Sequence, residues 1–299
     1  MFEKMVAIEP IPMVAEHIDR LHTYTRALCM YDNIPKGNTE IIRRIGDADA
    51  VLLRHTTEID ESVLRACTGI RYIGMCCSLY TPESANVDIL TAESLGIVVK
   101  GIRDYGDEGV PEYVISALVH FLHGFGDSPM WRSQPTELTG LPVGILGLGT
   151  TGIMIAKTLA FFGSDVYYYS RSRKPEQEAD GIHYLPLTEL LQKTDILCCC
   201  LNKNVILLGE REFELFGNGK ILMNTSIGPS HEIPALKKWL ENPINHFFSD
   251  TANAIDPYGF LLSLPNVHCA LKAAGRSSLA NRRLGEKVLA NIVSFFDGQ

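Results

Sequence analysis

The segment "VGILGLGTTGIMIAKTLAFFG", residues 143–163, restricts the folding of this chain more than any other stretch. Gly147, Gly149 and Gly152 take the spacing G-x-G-x-x-G, with an apolar strand-like run before them and an amphipathic run after. A strand that turns directly into a helix around a pyrophosphate needs glycine at each of these points. The first makes the tight turn, the second lets the backbone approach the phosphates, and the third lets helix and strand pack closely. The N–H groups of Thr150 and Thr151 then point at the phosphates from the helix start. The pattern predicts a dinucleotide site in which Gly147, Gly149, Thr150, Thr151 and Gly152 touch the coenzyme.

The end of the next strand indicates which dinucleotide. It reads "YYYSRSRK", residues 167–174, where an acidic residue for a ribose 2′-hydroxyl would ordinarily stand. A carboxylate would repel a 2′-phosphate, whereas Ser170 can donate to it and Arg171 or Arg173 can neutralise it. The expected cofactor is therefore NADP ahead of NAD. The competing explanation is a solvated charge cluster on a loop.

Elsewhere short Val/Ile/Tyr-rich runs alternate with longer amphipathic ones. Strands are predicted at 5–10, 50–55, 71–77 and 96–102, then at 142–148, 165–170, 195–201, 220–226, 246–251 and 266–272. Helices are predicted between them, at 38–48 with Thr39 or Asn38 as cap, at 60–67 capped by Asp60, and at 109–126 with an apolar face running to Phe125. Further helices are predicted at 150–162, 187–193, 210–216, 232–241 and 277–296, the last capped by Ser277 or Ser278. Strands spaced by helices mean βαβ units and parallel sheets.

The chain has 299 residues, of which 46% are apolar and 21% charged, proportions of an ordinary globular protein. Its net charge of −8 disfavours nucleic acid, whose phosphates need a basic stripe. No apolar run is long enough for a signal peptide or a membrane span. The eight cysteines include "CC" at 76–77 and "CCC" at 198–200. Neighbouring cysteines on a strand point to opposite faces, and no C-x-x-C pair occurs, so neither a disulfide framework nor a metal site is expected. They read as small apolar side chains in a reducing cytoplasm.

The chain resembles the D-isomer-specific 2-hydroxyacid dehydrogenase family in "YGDEGVPEYVISALV" (105–119), "ELTGLPVGILGLGTTG" (137–152), "LTELLQKTDIL" (187–197), "ILMNTSIG" (221–228) and "LLSLPNVHCALKAAG" (261–275). The resemblance implies an α/β fold of two doubly wound parallel-sheet domains. Residues 1–108 and 276–299 would form a flavodoxin-like substrate domain and 109–275 a Rossmann-type cofactor domain, with the active site in the cleft between. It also implies a homodimer, joined through the cofactor domain and the linker near Trp131, acting on a small carbonyl or hydroxy substrate. Thr225 and Asp250 would complete the cofactor contacts, and the loop at Cys77, Ser78 and Leu79 would meet the substrate.

Family chemistry reduces a 2-oxoacid with an arginine that binds its carboxylate, a histidine that protonates its carbonyl oxygen, and a glutamate bonded to that histidine. On the resemblance, the arginine position is Ile227, the glutamate position, three beyond Asp250, is Asn253, and the histidine position is Lys272. Leu79 also stands where the family prefers glycine, with a short insertion after it. Ile227 is expected to face the cleft where a guanidinium would otherwise sit; a shifted turn would bury it instead. Lys272, in an apolar setting beside Ile227, is the candidate proton donor, with Asn253 orienting the carbonyl; the alternative is a solvated lysine at a strand end. Arg276, His231 and His268 lie near in sequence, but surface or structural roles are expected for them. Two functions fit: an NADP-preferring oxidoreductase with altered catalytic residues, or a non-catalytic NAD(P)-binding sensor.

Overall fold

A computed structural model describes residues 1–126, 128–203 and 205–298. Contacts divide the chain into two compact units, Met1–Gly106 with Ser277–Gln299, and Asp107–Arg276.

In the first unit, strands β1 (Phe2–Ala7), β2 (Thr25–Met30), β3 (Ala50–Leu53), β4 (Tyr72–Ser78) and β5 (Val98–Ile102) form a parallel sheet in the order β2-β1-β3-β4-β5. Helices α1 (Ala15–Leu21), α2 (Asn38–Ile45), α3 (Glu61–Ala66) and α4 (Ile89–Ser94) make the crossovers. Both faces are covered, which is why β3 reads as an unbroken apolar run, AVLL, buried throughout. One face packs Val6, Val51 and Ile73 against Ile41 and Ile45 of α2. The other packs Phe2, Met5, Leu52 and Tyr72 against Leu284, Val288 and Ile292 of the closing helix, Ser278–Asp297. The last residues of the chain thus return to the first unit because their apolar stripe completes its core. Ser277 caps that helix by accepting the Ala280 N–H at 3.0 Å.

In the second unit, β6 (Pro142–Leu146), β7 (Asp165–Tyr169), β8 (His183–Tyr184), β9 (Ile196–Cys199), β10 (Ile221–Asn224), β11 (His246–Ser249) and β12 (Val267–Cys269) form a parallel sheet in the order β12-β11-β10-β9-β6-β7-β8. Helices α5 (Gly109–His123), α6 (Thr150–Phe161), α7 (Pro175–Ala179), α8 (Leu187–Lys193), α9 (Glu210–Phe216) and α10 (Ile233–Leu240) belong to this unit. Both units are therefore doubly wound α/β layers.

Several expectations need correction. The strand β2 and the two-residue β8 were not predicted, nor were α1, α4 and α7. The pattern of β2 is mostly exposed or half-buried, as suits an edge strand, so it shows no apolar run. Neither Asn38 nor Thr39 caps α2; Gly37, at φ 83°, takes that position. The Asn38 amide instead donates to Asp60 at 2.7 Å and Ser62 at 2.8 Å, while Asp60 caps α3 through the Val63 N–H at 3.0 Å. Phe125 lies beyond α5 and is 52% exposed, because Gly124 at φ 66° ends the helix in the left-handed region. The eight cysteines carry free thiols.

Candidate coenzyme and active site

In a parallel sheet all carboxyl ends share one edge, and a crevice opens where the strand order reverses. In the second unit that reversal lies between β6 and β9. Gly147 follows β6 there at φ 91°, and a Cβ on it would come within 2.7 Å of the Cys200 carbonyl oxygen past β9. A Cβ on Gly152 would stand 2.1 Å from the Gly147 oxygen, so the helix can approach the strand this closely only with glycine. Gly149 caps α6, and a Cβ added to it would meet nothing within 4 Å. The two outer glycines are fixed by contacts inside the protein, whereas the middle one borders open space. The first-turn N–H groups at Thr150 and Thr151 have no acceptor within the helix. An open cradle of free donors at a helix start fits a dinucleotide pyrophosphate. Thr150 is exposed, and the Thr151 hydroxyl donates to the Asp107 carboxylate. Nothing in the sequence pattern singled out Asp107, because that contact spans 44 residues.

The loop after β7 divides the two arginines. Ser170 is half-buried, and Arg171 is exposed with no ion pair among the described residues. Arg173 is engaged: its Nε donates to Glu178 Oε1 at 3.1 Å, its NH2 pairs with Oε2, and its guanidinium lies 5.2 Å from the Tyr184 ring centroid. The buried Tyr168 hydroxyl donates to Glu178 at 2.7 Å and accepts the Lys174 N–H at 2.6 Å. Hydrogen bonds from Arg173 and then Tyr168 hold the Glu178 carboxyl down at about 2.

The turns after β10, β11 and β12 lie side by side on the same carboxyl edge, and they carry Ile227, Asn253 and Lys272 respectively. Asn224, fully buried at the end of β10, donates to Gly228 O at 3.1 Å and Ala254 O at 2.7 Å, and accepts the Ser226 N–H at 3.1 Å. One side chain thus closes the turn around Ile227 and ties it to the turn holding Asn253. Thr225 donates its hydroxyl to Cys199 O at 3.1 Å. Ile227 is 46% exposed, which excludes the core-packed alternative. Asp250 O accepts the Lys272 N–H at 2.9 Å, and its carboxylate accepts the Ala274 N–H at 2.8 Å. Burial pushes the Asp250 carboxyl up, against the pull of the Ala274 N–H on that carboxylate. Leu271, just before Lys272, is held at φ 54°, a conformation rare outside glycine. Lys272 itself is exposed, so the apolar enclosure expected around its ammonium is not present. Asn253 and Arg276 are exposed as well.

His231 secures this edge from beneath. It is fully buried, and its Nε2 donates to Ile255 O at 2.8 Å, holding the far end of the turn that carries Asn253. Nδ1 has no partner. Burial lowers its pKa from 6.5 to about 4, against the raising effects of Ile255 O and Asp256. The unfolded chain therefore binds a proton at a higher pH than the fold does. Stability from this group is complete above about 6.5 and falls as the pH drops toward 4, by about 3 kcal/mol in all. His246, half-buried and also near 4, adds to the loss in the same window. Urea titrations across that window should show the decline, and His231→Leu should flatten it. An unchanged slope in the variant would rule out His231 as a source. His268 stacks on Phe248, with centroids 4.3 Å apart, and faces His246 at 3.2 Å.

The first unit has its own reversal point, between β1 and β3. Glu9, fully buried there, accepts N–H bonds from Arg54 at 2.8 Å and Thr57 at 3.2 Å, and the Thr56 hydroxyl. Sequence reasoning missed this carboxylate. A glutamate two residues past a buried strand was the available signal. Of the three loop residues expected to meet substrate, Cys77 is buried with its thiol 3.7 Å from Asn86 Oδ1. The Leu79 N–H is bonded to Ile102 O at 3.2 Å, and its side chain packs on the core. Ser78 is half-buried, where the β4–β5 register shifts. Such a shift re-aims side chains. Among the described residues no group of three or more His, Cys, Asp or Glu could hold a metal, and no helix is long and apolar enough to cross a membrane.

Residues 125–270 match the family described as D-isomer specific 2-hydroxyacid dehydrogenase, NAD binding domain. A hydroxypyruvate reductase of Blautia hydrogenotrophica is 29% identical over 208 residues, covering 64% of this chain and 63% of that protein. A glyoxylate reductase of Korarchaeum cryptofilum is 26% identical over 290 residues, covering 90% of this chain and 86% of that protein. The apo-structure of D-lactate dehydrogenase from Escherichia coli superposes with a TM-score of 0.80 at 19% identity, covering 99% of this chain and 98% of that one. That likeness is one of fold.

Proposed function

We propose that this chain, whose residues 125–270 match the NAD-binding domain of the D-isomer-specific 2-hydroxyacid dehydrogenases, is an NADP-preferring reductase of a small carbonyl or 2-oxoacid with altered catalytic residues. The coenzyme, when bound, supplies a hydride to the carbonyl carbon. The chain's own residues do the rest. Gly147, Gly149, Gly152 and the Thr150 and Thr151 N–H groups hold the pyrophosphate. Ser170 and Arg171 take the 2′-phosphate, and Thr225 and Asp250 stand on the nicotinamide side. The Lys272 ammonium gives the carbonyl oxygen its proton, and the Asn253 amide orients it. NAD is the second choice of cofactor.

One observation carries this reading. Lys272 is tied through its N–H to Asp250 O, on the same sheet edge as the glycine loop. Ile227 removes the guanidinium that would bind a carboxylate. Losing a charge partner of that kind costs about 2–5 kcal/mol, so ordinary 2-oxoacids should turn over slower by roughly one to four decades unless Lys272 compensates. Substrates without a carboxylate beside the carbonyl should suffer less.

The test is NADPH oxidation with a panel of oxoacids, aldehydes and ketones. Lys272→Ala should lower kcat by about a hundredfold, in the range of general-acid removal, while NADPH still binds. Turnover that survives the substitution unchanged rules the lysine out. A second reading, a non-catalytic NAD(P)-binding sensor, draws on the exposure of Asn253 and Lys272, which no side-chain bond orients among the described residues. Coenzyme binding with no turnover of any carbonyl would favour it.

A cytoplasmic homodimer without nucleic-acid or membrane partners fits the acidic charge of −8 and the apolar Phe161, 86% exposed, at the end of α6. The Trp131 linker expected at the dimer contact is pinned in place, its indole N–H on Gly219 O at 3.2 Å. A monomeric mass in sedimentation equilibrium would rule the dimer out.

A further inference from the structure

We propose that Glu178 sets how strongly this chain prefers a 2′-phosphorylated coenzyme, by latching Arg173 in an internal ion pair that leaves Arg171 to meet the phosphate. The proposal rests on the NADP reading above and adds a residue to it.

The geometry separates two arginines that stand two positions apart. Arg171 is exposed and carries no ion pair among the described residues, while Arg173 gives Glu178 both an Nε–H and an NH2 donor. An exposed pair of this kind is ordinarily weak, because two long side chains must be held in one arrangement. Here the acid is already held. Its side chain is only 20% exposed, and the hydroxyl of Tyr168, a fully buried residue of β7, donates to the same carboxylate at 2.7 Å. That hydroxyl also accepts the Lys174 N–H, so the loop end and the acid share one anchor. The Arg173 guanidinium further lies against the Tyr184 ring. The latch is preorganised, and a 2′-phosphate must compete with a placed carboxylate for Arg173. Glu178 also adds a negative charge beside the phosphate position. Both effects weaken NADPH and leave NADH, which has no 2′-phosphate, unaffected.

Titration calorimetry with NADPH, NADH and 2′,5′-ADP tests this. Glu178→Gln keeps an oxygen for the Tyr168 hydroxyl and removes the charge. It should tighten NADPH and 2′,5′-ADP about three- to tenfold and leave NADH within twofold. Arg173→Ala alone should change NADPH little, and Arg171→Ala should weaken it about tenfold or more. Adding Arg173→Ala to Glu178→Gln should abolish most of the gain, since the released guanidinium is its main source. An unchanged NADPH affinity in Glu178→Gln, or an equal gain for NADH, overturns the proposal. So does an Arg173→Ala loss as large as that of Arg171→Ala. If wild-type chain binds NADH more tightly than NADPH, the coenzyme reading fails. The latch still stands in that case, provided Glu178→Gln raises affinity for 2′,5′-ADP.

Discussion

Ile227→Arg, combined with Lys272→His, should raise kcat/KM for a small 2-oxoacid about ten- to a thousandfold over wild type. The physical basis is the charge partner that, on the proposed function, the turn after β10 lacks. A guanidinium there would meet the substrate carboxylate bidentately, and such a contact is worth about 2–5 kcal/mol when its removal strands the other charge. The fold should accept the change. Ile227 is 46% exposed, so no core contact is lost, and the turn is held by Asn224 through Gly228, Ala254 and Ser226. On the proposed assignment of position 272, the histidine supplies a donor that titrates near neutrality in place of an exposed lysine. Steady-state kinetics with glyoxylate and hydroxypyruvate provides the measurement. NADPH binding serves as the control for folding. If coenzyme affinity is kept and oxoacid turnover does not rise, these positions are not the missing catalytic set.

Gly152→Val is expected to do the most structural damage of any single change at the coenzyme loop. Even a Cβ would lie 2.1 Å from the Gly147 carbonyl oxygen, and backbone cannot rotate away as a side chain does. Helix α6 must then lift off β6, opening the core that Ile155, Ala156 and Leu159 share with Val143 and Ile145. The expected loss is about 3 kcal/mol of stability, with NADPH affinity reduced at least about a hundredfold. Gly149→Ala provides the contrast. Its added methyl meets no protein atom within 4 Å, so it should melt like wild type while binding NADPH about tenfold more weakly. Calorimetric melts and titrations separate the two effects. Equal melting temperatures for Gly152→Val and wild type would contradict the packing argument, and undiminished coenzyme binding in Gly149→Ala would contradict the cradle.

What the sequence alone determined is whatever local pattern encodes. Buried strands such as AVLL and ILCC announce themselves as apolar runs, because a parallel sheet covered on both faces asks for nothing polar. The glycine spacing is legible for a similar reason: each glycine answers a local steric demand at a strand–helix turn. Asp60 and Ser277 were readable as caps because the bond each accepts lies three residues away. Tertiary structure decided the rest. Edge strand β2 forms because β1 offers it a partner. Asn38 leaves its own helix to bond Asp60, 22 residues on. Thr151 finds Asp107, and Glu9 gathers donors from a strand end more than 40 residues later. Arg171 and Arg173 look equivalent in "SRSRK", yet only one is latched, because Tyr168 fixes Glu178 from inside the sheet. Exposure at Ile227 and Lys272 was likewise a matter of which turns converge on one sheet edge. Hydrogen-bond and ion-pair choices of this kind depend on proximity in space, and sequence spacing carries that information only where the partners are neighbours along the chain.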